Sequence, residues 1–247
     1  MSSQDRRGVD LYPAIDLRDG HVVRLTKGDY SAQVTYGSDP VAVAESFVEA
    51  GAPWIHVVDL DAARSGDPVN RPIVAEIASV LRGRAQLQTG GGVRTMADVE
   101  SLAAAGVSRV VMGSAAVANP KLVEEAAQML AVAVGLDHRD GDLAVHGWTE
   151  QSGLSVLEAL SMFPAASAFV ITDISRDGML EGPDVEGLAA AVAASSIPVI
   201  ASGGVAQLGD LIDLGQIPGL GGIIIGKAIY EGRVNLAEAV GAMRSQR

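Results

Sequence analysis

The sequence predicts an α/β chain folded as a closed barrel of eight strand–helix units, (β/α)8, and three observations carry that reading. Short apolar runs alternate with amphipathic helical stretches eight times over without a break. The chain has 247 residues, close to the ~250 of a typical eightfold barrel. A glycine-bearing pattern in the first half returns in the second half. Together they describe a TIM barrel made of two similar half-barrels, one domain over residues 1–247, with the repeat spanning roughly 10–130 and 131–247.

Taken in order, the apolar runs are Leu11–Asp16, Trp54–Leu60, Ala85–Thr89, Arg109–Gly113, Val132–Asp137, Ala168–Asp173, Pro198–Ser202 and Gly222–Gly226. The helical stretches between them are Pro40–Ala50, Ile73–Leu81, Met96–Ala105 and Lys121–Met129, then Ser155–Met162, Asp184–Ala194, Gln207–Leu214 and Leu236–Arg244. Strands alternating with helices imply a parallel sheet. No Ser/Pro-rich linker divides the series. Two connections are long for βα loops, which usually run ~2–6 residues. They cover Gly20–Asp39 and His138–Gly153, and both are expected to be mobile lids.

The repeat is specific. Gly91-Gly92-Val93, Asp98 and Arg109 to Ala115 in the first half correspond to Gly203-Gly204-Val205, Asp210 and Gly222 to Ala228 in the second. Ile15 to Gly20 corresponds to Leu136 to Gly141. Its functional consequence is a pseudo-two-fold active site.

Composition narrows the chemistry. Hydrophobic residues make up 48% and aromatics only 4%, so the core must rest on Val, Ile, Leu and Ala. Such side chains suit strands covered on both faces. A formal net charge of −12 argues against nucleic acid and anionic membranes as partners. An anionic substrate therefore needs a local positive pocket. Without cysteine the chain has no disulfide, thiolate nucleophile or thiolate metal site, which suits a reducing cytoplasm. The stretch Met1 to Asp10 is polar and lacks the apolar core of a signal peptide. No apolar run approaches the ~18 residues of a membrane span. A cytoplasmic monomer is expected.

Barrel active sites lie at the C-terminal ends of the strands. Four glycine clusters fall there: Gly90-Gly91-Gly92, Gly113-Ser114, Ser202-Gly203-Gly204 and Gly226-Lys227. Glycine lets backbone N–H groups approach a phosphate, and a following helix N-terminus adds a favourable dipole. One Gly-Gly pair is usually a turn, whereas two related pairs of clusters point to two phosphates. Arg94 follows the first cluster and Arg24 lies on the first βα loop; either suits a phosphate, though each alone reads equally as a surface arginine.

Asp16 ends strand one and Asp137 ends strand five, opposite each other in a closed barrel. Asp177 lies in the loop after strand six. A single Asp at such a place is usually a cap or a loop tie. An opposed pair is better read as acid–base machinery working on two faces of a substrate. Trp148 reads equally as packing or as a platform for a flat heterocycle. His56, inside a strand, reads as a structural, hydrogen-bonded histidine. The four histidines show no metal-ligand spacing, and Gly90-Gly91-Gly92 lacks a dinucleotide fingerprint.

At these residues the chain resembles, over nearly its whole length, the phosphoribosylformimino-aminoimidazole carboxamide ribotide isomerases of the histidine pathway. The resemblance is carried by Pro13 to Leu17, Val23-Arg24-Leu25, Lys27 to Tyr30, His56 to Asp61, Gly90 to Arg94, Val134 to Asp137, Gly147-Trp148, Thr172 to Gly178, Ala201 to Val205 and Gly226 to Gly232. It implies an Amadori rearrangement of an aminoaldose to an aminoketose on a small-molecule substrate with two phosphates. By that resemblance Asp16 is the base at the sugar C2, and Asp177 or Asp137 is the acid that opens the furanose. Thr172 and Arg24 position the substrate and Trp148 stacks on it. No metal or organic cofactor is implied.

Three other readings are weighed. The sister cyclase of imidazole glycerol phosphate synthesis shares the repeat, but its pattern has Cys before the first Asp and Lys at the Arg24 position, where this chain has Ile15 and Arg24. A non-catalytic phosphosugar-binding barrel has no need of three aligned acids. The bifunctional phosphoribosyl isomerase A, which also rearranges phosphoribosylanthranilate, has Arg before Gly-Trp, where this chain has His146, and Ser where it has Gly90. These departures predict a histidine-pathway specialist.

Overall fold

The computed structural model describes residues 8–145, 147, 148 and 150–245. Eight parallel strands form the barrel: β1 (Asp10–Arg18), β2 (Trp54–Asp59), β3 (Gln86–Gly90), β4 (Arg109–Met112), β5 (Ala131–Arg139), β6 (Ala168–Asp173), β7 (Val199–Ser202) and β8 (Leu220–Ile225). Each pairs with the next, β8 pairs with β1, and β5 pairs with β6, so the sheet closes. Each expected apolar run is a strand, with ends shifted by a few residues.

Alternation along each strand sorts residues to two faces. Outward side chains such as Ile15, Val57, Leu87, Val134, Phe169 and Ile223 pack under the helices in one large core. Inward positions on the floor include the small Ala14, Ala133 and Ala168 beside Val170, Ile200 and Ile224. That leaves room for Tyr12 and Trp54, whose rings stack at 5.3 Å. Among the described residues no helix is long and apolar enough to cross a membrane.

The helices are cut where their ends are chemically satisfied. Pro40–Glu49 starts at Asp39, whose carboxylate accepts the Ala42 N–H. Thr95 and Asp98 form a capping box before Met96–Ala104, and Gln207 and Asp210 form the equivalent box before Leu208–Gly215.

The main departure from the sequence reading lies at the two long connections, which form β-hairpin arms and not irregular loops. β1 runs past Asp16 to Arg18 and turns at Asp19-Gly20 into an antiparallel strand, His21–Thr26. A second turn at Lys27-Gly28 leads to Asp29–Gly37. β5 likewise turns at Asp140-Gly141 into Asp142–Val145, which pairs with Glu150–Ser155. All three turns have two consecutive positive φ angles: 48° and 76°, 50° and 72°, 51° and 85°. Asp-Gly and its relatives favour that geometry, which matches the twist of a hairpin.

The first arm is bolted to the loop after β2. Val23 and Leu25 pack on Leu60, and the Tyr30 hydroxyl donates to the Leu60 carbonyl at 3.0 Å. Buried Asn70 donates to Asp59 Oδ1 and Asp61 Oδ2, each at 2.8 Å, and accepts the Gly20 N–H at 3.0 Å. Asn70→Ala strips all three partners at once. It is expected to cost about 1–3 kcal/mol, seen as a lower urea midpoint; an unchanged midpoint would refute the bolt.

Candidate active site

The C-terminal ends of the strands surround one cavity of about 1010 Å³. Asp16, Arg24, Gly91, Gly92, Arg94, Gly113, Ser114, Asp137, Trp148, Thr172, Asp177 and Ser202 all line it. Beside it a narrow cleft of about 30 Å³ is lined by Ser202, Gly203, Gly204, Gly226 and Lys227, with Arg24 and Asp177 on its shared wall. The structure thus gathers the candidate carboxyls, glycine clusters, Arg24, Arg94, Trp148 and Thr172 around one mouth and its side cleft.

The glycines are required by close backbone approach. Gly91 and Gly92 have φ of +89° and +69°, and Gly203 and Gly204 have +92° and +86°. A Cβ on Gly92 would lie 2.6 Å from the Ala62 oxygen, and one on Gly204 would lie 2.4 Å from the Gly182 oxygen. The second glycine cluster of each half, Gly113 and Gly226, turns into a short helix with similar backbone angles, φ/ψ of −97°/−108° and −121°/−96°. Arg94 sits at the cavity rim with one N–H given to the Ala63 carbonyl at 2.8 Å. Lys227 Nζ donates to the Gly178 carbonyl at 2.9 Å.

Three carboxyls face the cavity. Asp16 is paired with Arg24 at 3.0 Å. Withdrawal from solvent pushes its pKa up to about 6, against the opposing pull of Arg24 and with added repulsion from Asp177. Asp137 accepts Trp148 Nε1–H at 2.7 Å and is also hydrogen-bonded by Thr172. Burial raises its pKa despite both donors. Burial raises Asp177 too, opposed by Arg24 and Lys227. Arg24 sits centrally: it pairs with Asp16, touches the space a Gly226 side chain would need, and keeps a buried Nε without a hydrogen-bond partner among the described residues.

The two arms meet over the mouth. The Trp148 ring occupies the space above Gly28, where a Cβ would lie 2.5 Å from it. The Lys27 N–H donates to the Asp177 carbonyl at 3.3 Å. His146 lies outside the described residues. Among the described residues no cluster of three His, Asp or Glu side chains is placed to hold a metal ion.

Sequence reasoning missed several cavity residues. Tyr30, on the first arm, lies between Arg18 and Arg64, with guanidinium carbons 5.3 and 5.0 Å from its ring centre. Arg64 lines the cavity as well. His56 is hydrogen-bonded as expected, to Gln88, yet it also lines the cavity. For His56 the available signal was a polar residue at an inward position of an apolar strand; Tyr30, on the arm, and Arg64, on the helix after β2, carry no such signal.

A family model described as "Histidine biosynthesis protein" matches residues 10–235. A Paramagnetospirillum magneticum protein named 1-(5-phosphoribosyl)-5-((5-phosphoribosylamino)methylideneamino)imidazole-4-carboxamide isomerase is 47% identical over 240 residues, covering 95% of this chain and 99% of its own. Proteins of the same name from Rhizorhabdus wittichii and Granulibacter bethesdensis are 45% and 44% identical, covering 95% and 94% of this chain and 98% and 97% of their own.

Proposed function

The chain belongs to the histidine biosynthesis protein family, and on that premise we propose that it is an aldose–ketose isomerase acting by Amadori rearrangement on an N-linked ribotide with two phosphates. The observation that carries the reading is the set of three cavity carboxyls between two matched pairs of glycine clusters. The relatives' name describes a substrate with two phosphoribosyl groups, which agrees with two phosphate sites at opposite ends of the mouth.

The steps divide among the carboxyls. Asp177 protonates the furanose ring oxygen, so that the ring opens to a Schiff base. We assign it the acid role over Asp137 because Trp148 and Thr172 hold Asp137 as a hydrogen-bond acceptor. The protonated imine then acidifies C2. Asp16 takes the C2 proton, giving an enaminol that becomes the aminoketose when C1 is protonated and the C2 hydroxyl gives up its proton, which restores the proton Asp177 donated. Arg24 and Lys227 offset substrate charge in an otherwise acidic protein. Trp148 offers its face to the imidazole. The second arm and the first close over the Schiff base and exclude water.

An isomerase assay on the purified chain, with phosphoribosylanthranilate run in parallel, tests the proposal. Turnover of the bis-phosphate ribotide is expected, with little or none of the anthranilate. Ligand binding without turnover would overturn the enzymatic reading.

The pH dependence carries a sign. Asp16 must be ionised to act as a base, and its pKa is about 6. On the acid side activity is therefore lost as pH falls through that value, while on the alkaline side it is limited by loss of the proton that Asp177 must donate. kcat/KM is expected to drop about tenfold per unit on the acid side. A flat profile from about pH 5 to 7 would contradict the role of Asp16.

A further inference from the structure

Three neighbouring strands place a polar side chain at one height inside the barrel. Register pairs His56 of β2 with Gln88 of β3, and Gln88 with Arg109 of β4. All three side chains are buried. Arg109 Nε donates to Gln88 Oε1 at 2.6 Å, and its NH2 group donates to the Tyr12 hydroxyl at 3.0 Å. The guanidinium lies 4.3 Å from the centre of the Trp54 ring.

The chemistry of each group fixes the direction of the chain. Arginine only donates, so the Gln88 oxygen must face it. The Gln88 amide nitrogen is then left for His56, 2.9 Å from Nδ1. An Nδ1 that accepts carries no proton, so the neutral ring has its proton on Nε2. Burial, with Arg24 and Arg109 nearby, pushes the His56 pKa down to about 3, which keeps the ring neutral. His56 lines the cavity one inward position below the level of Asp16, and no described hydrogen bond uses its Nε2.

We propose that Arg109 and Gln88 lock His56 in the Nε2–H tautomer, and that this N–H donates from the cavity floor to an oxygen of the reacting sugar. The second half rests on the isomerase reading above. Gln88 and Arg109 are positioning residues; His56 alone touches the substrate. A neutral imidazole donor polarises the sugar oxygen next to the carbon that Asp16 deprotonates, without taking the proton itself. No bond to His56 forms or breaks.

The first readout needs no substrate. Nitrogen-15 NMR of the full chain, labelled at histidine and read at about pH 8, should show His56 as the Nε2–H tautomer. Gln88→Glu keeps a partner for Arg109 but offers His56 only an acceptor, so the proton should move to Nδ1. kcat should then fall about 10- to 100-fold with KM changed far less. His56→Gln, whose amide also donates, should retain more activity than His56→Leu, and this pair carries the test if Gln88→Glu does not fold. An Nδ1–H ring in the unmodified protein would overturn the lock. A moved proton with unchanged kcat, or equal activity in the two His56 variants, would overturn the donation. An Nε2–H ring in a chain without isomerase activity would uphold the lock and overturn the isomerase reading instead.

Discussion

Replacing Asp16 with asparagine is expected to lower kcat by about 10²–10⁴-fold while the substrate still binds. The amide has nearly the shape of the carboxylate but cannot accept a proton. Its neighbour Arg24, 3.0 Å away, loses an anionic partner and becomes freer to meet a negatively charged ligand. Binding should therefore hold or tighten as turnover collapses. Single-turnover kinetics beside a calorimetric titration separate the two quantities. A variant with near-normal kcat would remove Asp16 from the mechanism.

The second large effect is expected at the glycines. Valine at Gly92 or at Gly204 puts a side chain on a positive-φ residue and drives its Cβ into a neighbouring backbone, the Ala62 or Gly182 carbonyl. The displaced loop loses hydrogen bonds to an anionic group, worth about 1.5–3 kcal/mol each, so affinity should fall about 10- to 100-fold. Because the substituted sites lie at opposite ends of the mouth, the variants should differ in which half of the substrate they stop recognising. Titration with ribose 5-phosphate and with the aminoimidazole ribotide as separate fragments tests this. Equal weakening of both fragments in both variants would defeat the two-phosphate arrangement.

The sequence made the barrel legible because the strands are short, mostly apolar runs and several helices begin at a recognisable cap such as Asp39, Thr95, Ser155 or Asp184. The three carboxyls were legible for a related reason: strand ends are where a parallel barrel puts its chemistry, and Asp16 and Asp137 stand at matching ends. The arms were not read, although their signal was present. Asp19-Gly20 and Asp140-Gly141 are hairpin turns followed by short, mainly apolar runs such as Val22-Val23-Arg24-Leu25 and Leu143-Ala144. Length alone had marked both segments as loops. The column of Arg109, Gln88 and His56 was hidden for another reason. It depends on the register of three strands far apart in the chain, which no local pattern records. Nor does a single sequence show that Trp148 rests on Gly28.

The arms have a consequence for how such a chain can vary in length. β1 carries Asp16 on its inward face and runs two residues further into the turn at Asp19-Gly20; β5 does the same from Asp137 to Asp140-Gly141. Acid and arm thus share one pleated ribbon. Residues added at an arm's tip only lengthen the overhang. One residue inserted between the barrel floor and Asp16 would reverse the alternation and swing the carboxyl out among the helices. Diversification is therefore steered to the tips, where it alters what the mouth admits and leaves the acids in place.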